Sequence, residues 1–279
     1  MAANIIDVEQ KFTTDAMQKS ELLYARGRIL LDFQARPDEA MDFFRQAMEA
    51  WPDNDEAARP LADLYISHQR WEEALPLLET IVRWGGRKDD KQELIPYYLN
   101  LASIYIMLGS DSAAADAYRG VLAIHPDNVP AVKGLAEVLY RLTDWAEAYT
   151  HFSSIIKNHP DSQSKKEKIE IYHRLGEIKL KLGEPRKALK LFEAILEIDS
   201  HHRQTLEALI TIFTQYEDHE QVIYFKKLLS EVLEGDEKVN VLVEIGDIWQ
   251  EKLFNSINRV FQRFLYDFDG FSNFHGSSR

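Results

Sequence analysis

The sequence predicts an all-α fold, a right-handed solenoid of stacked antiparallel helix pairs. Three observations predict it. A small residue followed four positions later by a large apolar one recurs at Ala40/Phe44, Ala74/Leu78, Ala114/Tyr118, Ala148/Phe152 and Ala188/Phe192, with a degraded copy at Val222/Lys226. The steps between the small residues alternate between 34 and 40. A second small residue stands twelve positions upstream in most copies, as Ala62, Ala102, Ala136 and Gly176, each directly after a leucine (Leu61, Leu101, Leu135, Leu175). One helix pair cannot bury its apolar face alone, whereas stacked pairs share a continuous core, so self-similarity at this period marks a repeat array.

Six copies are expected over residues 21–236, at about 21–54, 55–94, 95–128, 129–168, 169–202 and 203–236. Residues 1–20 form a polar segment or an extra helix. The first copy is atypical, with Gly27 and Arg28 where the others have leucine and a small residue, as expected of a capping repeat with one side in water. Pro37 and Pro185 suit the first turn of second helices and Pro130 that of a first helix, because that position needs no N–H partner. Pro52, Pro126 and Pro160 stop second helices. In the fourth copy Asp144 and Glu147 have the spacing of a capping box, Ala136 and Ala148 let two backbones approach, and Phe152 fills the space beside them. The residue three after each first-helix small position is Tyr65, Tyr105 or Leu139, with Lys179 the exception.

The two longer steps carry polar inserts, GGRKDDKQE at 85–93 and DSQSKKEK at 161–168, two copies apart. Either a pair of repeats was the duplicated unit or each insert lengthens the helix after it. In the sixth copy Ile210, Val222 and Lys226 replace the usual residues, so this pair is expected to pack less closely. The first helix of a partial seventh copy is expected at 237–252, with Gly246 in the small position. The tail 253–279 holds seven aromatics, and Ile257, Val260, Phe261, Phe264, Leu265 and Phe268 recur at helical spacing. A divergent capping helix, a self-association surface and an array that has lost its true end all fit that tail.

These residues resemble the tetratricopeptide repeat, over roughly 21–250. The resemblance implies a superhelix of helix pairs whose first helices line a concave groove, and a groove that binds a peptide or a partner helix. The residues three before and one after each first-helix small position are expected to face it: Arg59/Asp63, Leu99/Ser103, Lys133/Glu137 and His173/Glu177, with Asn100 and Arg174 beside them and Arg141 one turn on. Arg59/Asp63 and Lys133/Glu137 are also opposite charges four apart, which stabilise a helix by a few tenths of a kcal/mol whether or not they meet a partner. Members of the family that clamp chaperone C-terminal carboxylates use lysine with asparagine, then asparagine, then lysine with arginine on successive first helices. With Ala25/Ile29 taken for the first copy, this chain lacks the lysine–asparagine pair and departs from that subtype.

Other functions find little support. The formal net charge of −13 repels a polyanion over most of the surface, so no nucleic-acid partner is expected. Cysteine is absent, which removes a thiolate nucleophile and Cys-based metal sites. Gly85-Gly86-Arg87-Lys88 lacks P-loop spacing, adjacent His201 and His202 point apart on a helix, and Asp267–Gly270 lacks the remaining ligands of a calcium loop. No enzyme, metal or cofactor is expected. Neither a leader pattern nor a membrane-spanning run is legible, so a cytoplasmic protein is expected. The reading is a non-catalytic protein-interaction scaffold or adaptor. The alternatives are a structural homo-oligomer assembled through the aromatic tail, and a regulatory subunit of an enzyme whose catalytic module lies elsewhere.

Overall fold

The structure, a computed structural model, describes residues 13–86, 91–160 and 163–250. Among these residues there are thirteen α-helices and no strand. They fall into two compact units that meet in sequence after Asn158. The first unit holds four antiparallel pairs: α1 (Ala16–Gln34) with α2 (Pro37–Ala50), α3 (Asp55–Ser67) with α4 (Trp71–Gly85), α5 (Ile95–Met107) with α6 (Asp111–Ile124), and α7 (Val129–Arg141) with α8 (Trp145–Asn158). The second holds α9 (Lys165–Lys181) with α10 (Pro185–Ile198), α11 (Arg203–Gln215) with α12 (His219–Val232), and α13 (Gly235–Ile248). Within each unit every helix packs against its successor. This is an all-α solenoid of helix pairs.

The small residues do what their spacing predicts. Ala40, Ala62, Ala74, Ala102, Ala114, Ala136, Ala148 and Ala188 are all fully buried. The large partners Phe44, Leu78, Phe152 and Phe192 are fully buried too, each contributing about 1.5–3 kcal/mol by leaving water. At Gly176 a Cβ would lie 2.5 Å from Cε1 of Phe192, so the ring occupies the place a side chain would take.

The turn inside each pair repeats as strictly as the core. A residue with positive φ stands five before every second-helix small residue: Ala35, Gln69, Gly109, Thr143, Gly183 and Glu217. Only two of the six are glycine, the residue that takes this conformation without steric cost. In five copies the next N–H closes the helix onto a carbonyl five residues back: Arg70 to Tyr65, Ser110 to Tyr105, Asp144 to Leu139, Glu184 to Lys179 and Asp218 to Phe213. In the first copy Arg36 closes onto Leu30, six residues back. One extra residue therefore lies between its two small positions. The small position is Gly27 itself, buried with Phe44 Cε1 2.5 Å from where its Cβ would be, and Arg28 is exposed.

Further details of the sequence reading change. Helix α1 begins at Ala16, within the stretch 1–20 expected as a polar segment or an extra helix, and α13 begins at Gly235, where the expected bound was 237. Asp144 caps α8 by accepting the Glu147 N–H at 3.2 Å, while the complete capping box forms at Ser164/Glu167, opening α9. After the second insert α9 is lengthened to 17 residues; after the first, α5 keeps 13 and the separate 3-10 turn Gln92–Leu94 precedes it. Lys179 buries its stem in the slot filled elsewhere by Tyr65 or Leu139, and its ammonium reaches Glu184 at 2.9 Å. In the sixth copy the large residue is Phe225 rather than Lys226. Its ring stacks on Phe213 at 5.5 Å, and Lys226 turns to α13 and pairs with Glu244. The aromatic tail 253–279 lies outside the described residues.

Candidate partner-binding site

In the first unit the register correction at Gly27 has a consequence on the surface. The residues three before and one after it are Tyr24 and Arg28, not Ala25 and Ile29. Tyr24 and Arg28 line a cavity of about 380 Å³ together with Arg59 and Asp63, the pair at the same offsets from Ala62. Glu56, Pro60, Glu93 and Tyr97 complete it. The cavity is thus shared by the first helices α1 and α3 and the start of α5.

Its charges are unevenly committed. The Arg59 guanidinium lies 3.3 Å from Glu93, 3.7 Å from Asp55 and 5.5 Å from the Tyr97 ring centroid, a cation–π distance. Arg28 pairs with Asp32 at 2.8 Å. Asp63 accepts no hydrogen bond among the described residues. Although its surface is open to solvent, surrounding atoms desolvate its carboxyl enough to raise its pKa, and Arg59 offsets only part of this. Desolvation also raises the Tyr97 hydroxyl, reinforced by the charge of Asp63. Pro60 sits inside α3, so the Glu56 carbonyl lacks the N–H that residue 60 would normally donate.

Two family models described as tetratricopeptide repeat match residues 34–89, 112–169 and 169–202. The chain belongs to the tetratricopeptide repeat family. No match is found among the curated proteins. Among solved structures, the chain is similar to MamA AMB-1 at 18% identity, covering 66% of this chain and 96% of that one with a TM-score of 0.50. It is also similar to YrrB, a tetratricopeptide repeat protein with an unusual peptide-binding site, at 15% identity, 67% and 90% coverage and a TM-score of 0.49. The anaphase-promoting complex hetero-tetramer Cut9–Hcn1 gives 17% identity, 87% and 46% coverage and a TM-score of 0.44. At these identities the likeness concerns the fold. The tetratricopeptide fold suggests a protein–protein interaction scaffold.

The remaining expected groove residues of this tetratricopeptide repeat chain are not gathered into the cavity. Leu99 and Asn100 are half-buried on α5, and the exposed Ser103 hydroxyl donates back to the Leu99 carbonyl at 2.9 Å. Lys133 and Glu137 are half-buried on α7. Arg141 is drawn away to the start of α6, where it grips Asp111 in two bonds of 2.9 and 2.6 Å. That bond holds the Asp111 carboxyl below the usual carboxylate range. In the second unit His173 and Arg174 both approach Glu177, at 3.7 and 3.2 Å, and the His173 ring lies 6.3 Å from that of His202. Burial lowers the His202 pKa.

Sequence reasoning missed Tyr24, Arg28, Glu56, Pro60, Glu93 and Tyr97. The offset rule that selected Arg59 and Asp63 finds Tyr24 and Arg28 once Gly27 is recognised as the small position. Glu93 belongs to the first polar insert, and its link to Arg59 spans 34 residues, beyond any local pattern. Among the described residues no cluster of three or more His, Asp or Glu side chains is placed to hold a metal ion, and no helix is long and apolar enough to cross a membrane.

Proposed function

We propose that this chain is a non-catalytic scaffold that binds a segment of a partner protein on the face formed by the first helices of its first unit. One observation carries the reading: equivalent offset positions of two successive copies, Tyr24/Arg28 and Arg59/Asp63, line one cavity. A preformed surface costs a partner little ordering of the receptor, and a few anchor residues then dominate affinity. The test is affinity capture by the full chain, compared with Asp63→Arg and with Lys133→Glu/Glu137→Lys. Partners specific to the wild type should be depleted by at least one of these changes. A partner retained equally by all three chains would remove the first-helix face from the reading.

Self-association is a second reading, favoured by one observation. Helix α13 buries only Ile245 and exposes Val239, Leu242 and Val243 at helical spacing. Light scattering on the full chain and on Leu242→Glu/Val243→Lys separates the two readings. A mass that falls on substitution supports self-association through this face; a monomer in both cases removes it.

A further inference from the structure

The cavity on α1, α3 and α5 has a chemical preference, which rests on the partner-binding reading above and deepens it. We propose that it receives a cationic side chain, arginine or lysine, from the partner segment.

The argument begins with what is already satisfied. Both guanidiniums of the cavity have carboxylate partners within this chain: Arg28 has Asp32, and Arg59 has Glu93 and Asp55. A partner carboxylate would have to displace one of these pairs. The acceptors are in the opposite condition. Neither Asp63 nor Glu56 makes a hydrogen bond or ion pair to a side chain among the described residues, and Pro60 leaves the Glu56 carbonyl without its usual helical donor. A guanidinium offers five N–H donors and an ammonium three, which is what two uncommitted carboxylates call for.

Shape and field agree. Three carboxylates, Glu56, Asp63 and Glu93, face two guanidiniums, on a chain of net charge −13 that draws a basic segment towards it. Tyr24 and Tyr97 supply ring walls for the apolar stem. At about 380 Å³ the cavity is at the small end of ligand sites, suited to one long side chain.

The experiment uses the full chain on an immobilised array of short random peptides, followed by titration of a selected peptide in solution. Asp63→Asn/Glu56→Gln changes two exposed side chains, and circular dichroism checks that the fold is intact. The selected peptides should share an arginine or lysine at one position, and replacing that residue by neutral citrulline or norleucine should weaken binding about tenfold. The double variant should lose a similar factor for the parent peptide and nothing further for the neutral one, since the two changes remove the same interaction. Rising salt should weaken the parent peptide on the wild type and act less on the variant. Peptides that lose affinity with Lys133→Glu or Glu137→Lys, yet ignore both the citrulline exchange and the double variant, would overturn the cavity assignment and leave the scaffold reading standing. Peptides indifferent to every one of these changes, or an array that retains none, would overturn both.

Discussion

Gly27 in α1 and Gly246 in α13 hold the same nominal place in the first helices of their copies, yet their surroundings differ completely. At Gly27 the ring of Phe44 fills the space where a side chain would begin, and α1 buries Ser20, Leu23 and Leu30 around it. At Gly246 nothing among the described residues lies within 4 Å of a would-be Cβ, and three apolar side chains of α13 face solvent. At Gly27 the small residue permits close approach, and the helix after it delivers the large side chain that uses the permission.

The largest effects should come from removing the delivered ring. Phe44→Ala and Phe192→Ala should each lose about 3–5 kcal/mol in urea unfolding, by lost burial and the cavity left behind. Leu242→Ala on the exposed face of α13 should change stability by less than about 0.5 kcal/mol. Next comes the glycine pair. Gly27→Ala forces Phe44 out of place and should lose about 1–3 kcal/mol, whereas Gly246→Ala meets no neighbour among the described residues and should gain up to about 1 kcal/mol from helix propensity. A loss at both sites would mean that α13 is packed like α1.

A smaller effect tests the turns. Thr143, a β-branched residue at φ +62°, should be improved by glycine, and Gly183, at φ +70°, should be harmed by alanine, each by about 1 kcal/mol. The smallest concerns Asp63. Its folded-state pKa is raised above the ordinary 3.8 by desolvation, so the fold favours its neutral form. The stability this contributes is present below pH 3.8 and is lost as pH rises through the folded value. Asp63→Asn should therefore melt no lower than the wild type at neutral pH, with its advantage vanishing in acid. A lower melting temperature at neutral pH would mean that the carboxylate holds the fold together.

Most of the helix pairing was legible because period, small residues and large partners all report the same packing. The four copies from the second to the fifth place those residues in the core as read. The first copy slipped by one because its turn closes over six residues where the others close over five, although the positive φ before the closing N–H is common to all six. The sixth slipped because Phe225 and Lys226 are adjacent, and only burial distinguishes which one faces the pair. The site was half legible. Arg59 and Asp63 follow from helical offsets, whereas Glu93 and Tyr97 join them through contacts with Arg59 from more than thirty residues away. Arg141, expected one turn beyond the offset position Glu137, is held by Asp111, a partner thirty residues earlier that no local pattern announces.

Hydrogen exchange on the full chain, with and without an arginine-bearing peptide selected on it, tests the central claim most directly. The account predicts slowed exchange along α1, α3 and the start of α5. Protection confined to α2, α4 and α6, or to the second unit, would contradict it.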